Sequence, residues 1–196
     1  MESETSSSSE TDALSTRDIL VRTAERLFAE KGIEGVALRA IGAEAGQGNS
    51  VAVQYHFKNR AGLIQAILEW RWQRIETGRS EMLEALLAKD PDPSLEDLLV
   101  CLQQPLVDMT DEDGRHNFAR FLLHYLTSSN RWFIDTGNGV KAWLSPDRKE
   151  KEQPTFKLLD CIADRIPHVP RPVAGRRLTQ CMRMLMGTIV DWENAQ

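Results

Sequence analysis

The chain is poor in the features that stabilise secreted, membrane or metal-bound proteins. Its three cysteines, Cys101, Cys161 and Cys181, are odd in number, widely spaced and form no C-x-x-C pair. That pattern argues against a disulfide framework or a zinc knuckle. It fits a reduced, cytoplasmic setting with the cysteines as small apolar core groups. No run approaches the roughly 18 apolar residues that a membrane span needs. The acidic, polar N-terminus lacks the basic and apolar regions of a signal peptide. Nothing alternates with period two, so strands are not expected, and there is no internal repeat. No Ser/His/Asp order, phosphate loop or paired-carboxylate motif supports catalysis. The "DEDG" turn lacks both the ligand spacing and the terminal Glu of a calcium loop. The sequence therefore offers no reason to expect an enzyme, a cofactor or a metal.

What is present is length, charge asymmetry and helical periodicity. A chain of 196 residues can bury a core without staples. The net charge of -5 is unevenly spread. Residues 1–14 hold four carboxylates and no base, residues 15–79 carry ten Lys/Arg against seven Asp/Glu, and residues 80–196 carry fourteen against eighteen. A mildly basic part thus precedes an acidic remainder, as in a nucleic-acid-binding head on a body of another function.

The segment 1–14 is Ser/Glu/Thr-rich with almost no apolar residues and reads as a disordered tail. Ser15 and Asp18 form a capping pattern, behind which Ile19, Leu20, Ala24, Leu27 and Phe28 recur at helical spacing up to Gly32. A second helix carries Leu38, Ile41 and Ala45 and ends at Gly46, and a very short third spans about 50–56. Asn59 caps a long helix over about 60–88, ended by Pro91 and Pro93. Gly78, midway along it, is either a flex point or a site of close helix contact. Ser94 and Asp97 cap the next helix, where Pro105 introduces a kink or break. Helices over "RHNFARFLLHYLTSS", "TFKLLDCIADRI" and "AGRRLTQCMRMLMGTIVDW" complete an all-α chain. The expected division is a set of three short helices over 15–59 and a longer helical body over 60–196.

The stretch "AGQGNSVAVQYHFKNRAGL" gathers Gln54, Tyr55 and His56 beside Lys58 and Arg60. It admits three readings: a catalytic or metal site, a helix that reads DNA, or a packed helical corner. With no acidic or cysteine side chain nearby, the metal reading is weak, and His56 suits a structural or phosphate-proximal role. Three short helices with tight Gly turns have the outline of a helix-turn-helix, whose last helix enters the major groove. Asn49 and Ser50 then sit at a helix start, where free N–H groups meet phosphate or base edges. Val51 and Ala52 are small enough for close approach. Gln54 can pair with adenine, while Arg39, Tyr55, Lys58 and Arg60 are backbone-contacting types. Phe57 is expected in the core.

These residues carry a resemblance. "ILVRTAERLFAEKGIEGVALRAIGAEAG", followed by "VQYHFKNRAGLIQAIL", resembles the DNA-binding region of the tetracycline-repressor (TetR) family of bacterial transcriptional regulators. Ala24, Leu27, Phe28 and Gly32 match its first helix. Ile41, Ala45 and Gly46 match the second, Tyr55, His56 and Phe57 the third, and Asn59, Arg60 and Leu63 the start of the fourth. The chain departs from the pattern at Gln47 and Gly48, in one extra turn residue, at Gly42, and at Gln54 where many members have tyrosine. The resemblance implies a homodimeric repressor on a near-palindromic double-stranded DNA operator, released by a small-molecule effector through the fourth helix. Phe121, His124, Tyr125, Trp132, Phe133 and Trp143 are candidate pocket residues, with core or dimer packing as the alternative. Leu178, Met182, Leu185, Met186 and Ile189 are expected to supply dimer contact. The competing reading is a helical ligand-binding or scaffold protein that has lost specific DNA binding.

Overall fold

A computed structural model describes residues 15–46, 51–128 and 153–196, together with the backbone alone at Val51. The expectations for the tail, for Asn49 and Ser50, for the Val51 side chain, and for Trp132, Phe133 and Trp143 lie outside them. Among the described residues there are eight α-helices and no strand. In chain order they are α1 (Thr16–Lys31), α2 (Leu38–Glu44), α3 (Val51–Phe57), α4 (Arg60–Lys89), α5 (Leu95–Val107), α6 (Asn117–Thr127), α7 (Pro154–Arg165) and α8 (Arg171–Asn194).

Local chemistry sets the boundaries. Ser15 Oγ accepts from the Asp18 amide at 3.2 Å, Asn59 Oδ1 from the Gly62 amide at 2.9 Å, and Ser94 Oγ from the Asp97 amide at 3.1 Å. Each satisfies an amide that the first helical turn leaves without a partner. Gly32 closes α1 with φ 74°, where a Cβ would be strained. Lys58 makes the corner between α3 and α4 with φ 63°, an uncommon conformation for a residue with a side chain. Pro105 stays inside α5, where only two residues follow it, so its missing N–H interrupts little of the ladder. The "DEDG" turn is held by Asp111, which accepts from the Asp113 and Arg115 amides at 2.9 and 2.8 Å and from Asn117 Nδ2 at 2.7 Å.

The larger core is shared by head and body. α1 makes its most extensive contacts with α6, and α6 in turn packs on α8. Phe28 of α1 stacks on Phe121 of α6 with ring centroids 6.2 Å apart, and Phe121 stacks on Tyr125 at 6.2 Å. Such aromatic pairs contribute about 0.5–1.5 kcal/mol each beyond their buried area. Across the same joint, Arg71 of α4 grips Glu25 of α1 through two parallel bonds, at 2.6 and 2.5 Å. Both side chains are buried. A smaller core joins Leu83 of α4, Leu98 and Leu102 of α5, and Leu158 and Ile162 of α7. Between the two cores α4 and α5 cross at Gly78. A Cβ there would meet Pro105 Cβ and Cγ at 3.3 Å, so the glycine serves close contact between helices.

The α8 stripe and the cysteines take the following places within the subunit. The apolar stripe of α8 is used largely within the subunit. Met186 is 0 % exposed and Ile189 is buried, both in the core shared with α6, and Met182 and Leu185 pack against that core. Leu178 packs on the smaller core. Periodicity identified the stripe but not the surface it covers. The cysteines also divide: Cys101 is buried, Cys161 half-buried and Cys181 exposed, all as free thiols. Burial pushes the Cys101 thiol pKa up.

Candidate nucleic-acid interface and ligand cleft

The short α3 is pinned from beneath by Val53 and Phe57, both buried and four residues apart on one face. That spacing turns Gln54, Tyr55 and His56 outward, and all three are exposed. Tyr55 is 81 % exposed and meets the edge of the His56 ring, with centroids 5.2 Å apart. Arg39 on α2 and Lys58 at the α3–α4 corner are exposed as well.

Arg60, an expected phosphate contact, already has one partner inside the head. Its Nη1 donates to the Ile33 carbonyl, which ties the start of α4 to the α1–α2 connection. Arg17, which sequence reasoning passed over, lies in the first turn of α1 with its guanidinium 5.6 Å from the Phe57 ring centroid. It is exposed at the C-terminal end of α3. Arg17, Arg39 and Lys58 have no carboxylate partner among the described residues. Arg26, by contrast, is engaged by Glu44 at 2.8 Å and Glu30 at 3.3 Å, and the bond to Glu44 does most to push its pKa up. Only the tertiary fold reveals which head cations are unpaired, since nothing local marks Arg17.

The candidate pocket residues of α6 do not line the cleft described below. Phe121 and Tyr125 form the head–body core, and burial pushes the Tyr125 phenol pKa up to about 12. His124 is half-buried beside Gly32, where a Cβ would sit 4.0 Å from His124 Nδ1. None of the three lines the cleft found in the body.

That cleft is small, about 50 Å³, and lies among α4, α5, α7 and α8. Its walls are mostly apolar: Leu102 and Leu106 from α5, Leu159 from α7, and Leu178 and Met182 from α8. Arg79, Gln103, Thr155 and Thr179 supply its polar groups, and Gly175 opens the α8 side. Arg79 is 2 % exposed. Its Nε and Nη2 donate to the Leu102 carbonyl at 3.0 and 2.7 Å, and its Nη1 to Thr155 Oγ1 at 2.6 Å. The Thr155 hydroxyl donates to Glu76 Oε1, and the Thr155 amide donates to Glu76 Oε2 at 3.1 Å. Burial pushes the Arg79 pKa down to about 10 against the pull of Glu76, so it remains a cation at neutral pH.

At the far end of the body, Glu193 of α8 holds the start of α6. It accepts from the His116 amide at 2.8 Å and from Arg120 Nη2 at 2.7 Å. Burial pushes its carboxyl pKa up, but the His116 amide and the Arg120 guanidinium together outweigh that and hold it below the ordinary range. Among the described residues no group of three His, Cys, Asp or Glu side chains could hold a metal ion, and no helix is long and apolar enough to cross a membrane.

Comparison with known proteins gives one family match. Residues 20–67 match the model of bacterial regulatory proteins, tetR family, covering most of α1, all of α2 and α3, and the first turns of α4. No curated protein matches the chain. The family match lies on the helices that expose Gln54 and Tyr55 above a pinned base, so residues 20–67 are similar to the DNA-binding region of bacterial regulatory proteins of the tetR family, which supports a DNA-binding transcriptional regulator.

Proposed function

We propose that the protein is a ligand-responsive repressor that binds a near-palindromic operator as a homodimer. α3 enters the major groove, where Gln54 reads a base and Tyr55, with Arg17, Arg39 and Lys58, fixes the backbone. One observation carries the ligand response: Leu106 and Met182 belong at once to the cleft wall and to the packing of the core that holds α1. A molecule filling the cleft therefore presses on side chains that also support the head. It shifts the equilibrium only if it binds the two head positions unequally.

With the inner stripe of α8 used within the subunit, the second copy packs on the outer face, where Cys181, Met184 and Trp192 recur at helical spacing. Met184 is 73 % and Trp192 59 % exposed. Two reading helices must then lie about 34–36 Å apart to meet successive major grooves.

The test is a gel shift with the DNA upstream of the protein's own gene. Gln54→Ala should cost about 1–3 kcal/mol and relax preference at one base pair. Arg17→Ala should weaken binding to all sequences and lower the salt slope by about one. Binding unaffected by both substitutions refutes the assignment of the contacts. Sedimentation of Met184→Asp tests the dimer face, which is wrong if that variant still dimerises as tightly as the native chain.

A further inference from the structure

An arginine in an apolar cleft invites the reading that the ligand is an anion. The hydrogen bonds around Arg79 point the other way. A guanidinium has five N–H groups. The Leu102 carbonyl takes two, at 3.0 and 2.7 Å, and Nη1 faces Thr155 Oγ1 at 2.6 Å and Glu76 Oε1 at 3.5 Å. Glu76 neutralises its charge and spends both oxygens on Thr155. Arg79, Thr155 and Glu76 close a cycle between α4 and the first turn of α7, and Arg79 also grips the Leu102 carbonyl of α5. Arg79 is thus a structural tie, and among the described residues Glu76 offsets its charge. A second anion would enter beside Glu76 with nothing to offset it, and a cation would enter beside Arg79. Either would pay a desolvation cost of several kcal/mol, a factor of a thousand or more in affinity if fully uncompensated.

The other polar walls are also engaged, with one exception. Thr179 Oγ1 donates to the Gly175 carbonyl at 3.0 Å. Gln103 is half-buried on the cleft wall and makes no side-chain hydrogen bond among the described residues. A primary amide both donates and accepts, and it carries no charge. It suits a carbonyl or hydroxyl group.

Taking the cleft as the effector site proposed above, we infer that it selects an uncharged, mostly apolar molecule bearing one neutral oxygen function, which Gln103 reads. The apolar body lies against Leu106, Leu159, Leu178 and Met182. The Arg79 cycle contributes walls and rigidity, not a counter-charge.

A matched set of probes on one skeleton tests this on the full chain: 4-tert-butylcyclohexanone, the corresponding carboxylate and amine, and the parent hydrocarbon. Binding is followed by thermal shift and by the fluorescence of Trp72, whose ring centroid lies 5.3 Å from the Arg79 guanidinium. Trp72→Phe identifies the local signal. The ketone should bind at least tenfold more tightly than either ion. Gln103→Leu should cut the preference for the ketone over the hydrocarbon by about two- to tenfold. Thr179→Phe, which fills the cleft, should abolish binding while circular dichroism and cooperative unfolding remain. The inference is overturned if the carboxylate or the amine matches the ketone, if Gln103→Leu leaves the preference intact, or if no neutral probe binds. Ketone binding that obeys these rules but leaves operator affinity unchanged supports the ligand class and rejects the effector reading instead.

Discussion

Replacing Arg71 by methionine should cost about 3–5 kcal/mol of folding stability, because it strands the Glu25 carboxylate in the core. The figure follows from the geometry of the pair. Two parallel bonds at 2.6 and 2.5 Å join side chains that are 7 % and 3 % exposed. Water cannot replace the lost partner. Arg71 also lies 4.3 Å from the Trp70 ring centroid and 5.7 Å from that of Phe118, contacts that methionine recovers only in part. Against a total stability of about 5–15 kcal/mol, the loss is large enough to read by urea unfolding. The double variant Glu25→Leu/Arg71→Met removes both charges and should unfold within about 1–2 kcal/mol of the native chain. A double-mutant cycle should therefore give a coupling of a few kcal/mol. Additive single and double losses, or a single loss under about 1 kcal/mol, would show that the pair does not hold head to body.

Other expectations concern the body and its joints. Tyr125 Oη is buried without a partner among the described residues, so Tyr125→Phe should leave stability unchanged or raise it by up to about 1 kcal/mol. A loss on thermal melting would mean the hydroxyl is bonded. The Glu193 pKa is lower folded than unfolded, so its stabilisation is complete above its ordinary value and lost as pH falls through the depressed one. The melting temperatures of the native chain and Glu193→Gln should thus differ at neutral pH and converge in acid, and a constant gap would reject this. Gly78→Leu should lose about 1–3 kcal/mol by forcing α4 from Pro105, whereas Gly78→Ala trades a tight contact against helix propensity and should stay within about 1 kcal/mol. Unfolding curves that coincide for both would remove the crossing from the account.

The parts of this fold that were legible in the sequence are those decided over a few residues. Ser15, Asn59 and Ser94 mark helix starts because their short side chains reach amides three residues on. Val53 and Phe57 fix which side of α3 faces outward because helical spacing does so for any short helix. What escaped were decisions made between distant helices. The stripe on α8 reads the same whether it covers its own α6 or a second chain. Arg79 would be assigned to the surface by residue type, and only the convergence of Leu102, Thr155 and Glu76 explains its burial. Arg60 and Arg17 look alike as cations near α3, yet one is committed to the Ile33 carbonyl and the other is not. The cleft itself draws on four helices separated by up to a hundred residues, and no local pattern encodes it.

The stacking of Phe28 on Phe121 bears on how such a regulator can be altered. A head cut from the chain at the α3–α4 corner would leave the face of α1 that α6 covers open to water, so it is not a cassette that can be moved intact onto another body. Transplanting its DNA specificity would mean carrying the outward side chains of α3 alone, or bringing α6 along with α1. Under the proposed reading of α3, the same constraint favours new operators arising by point changes at positions such as Gln54, with the joint beneath left untouched.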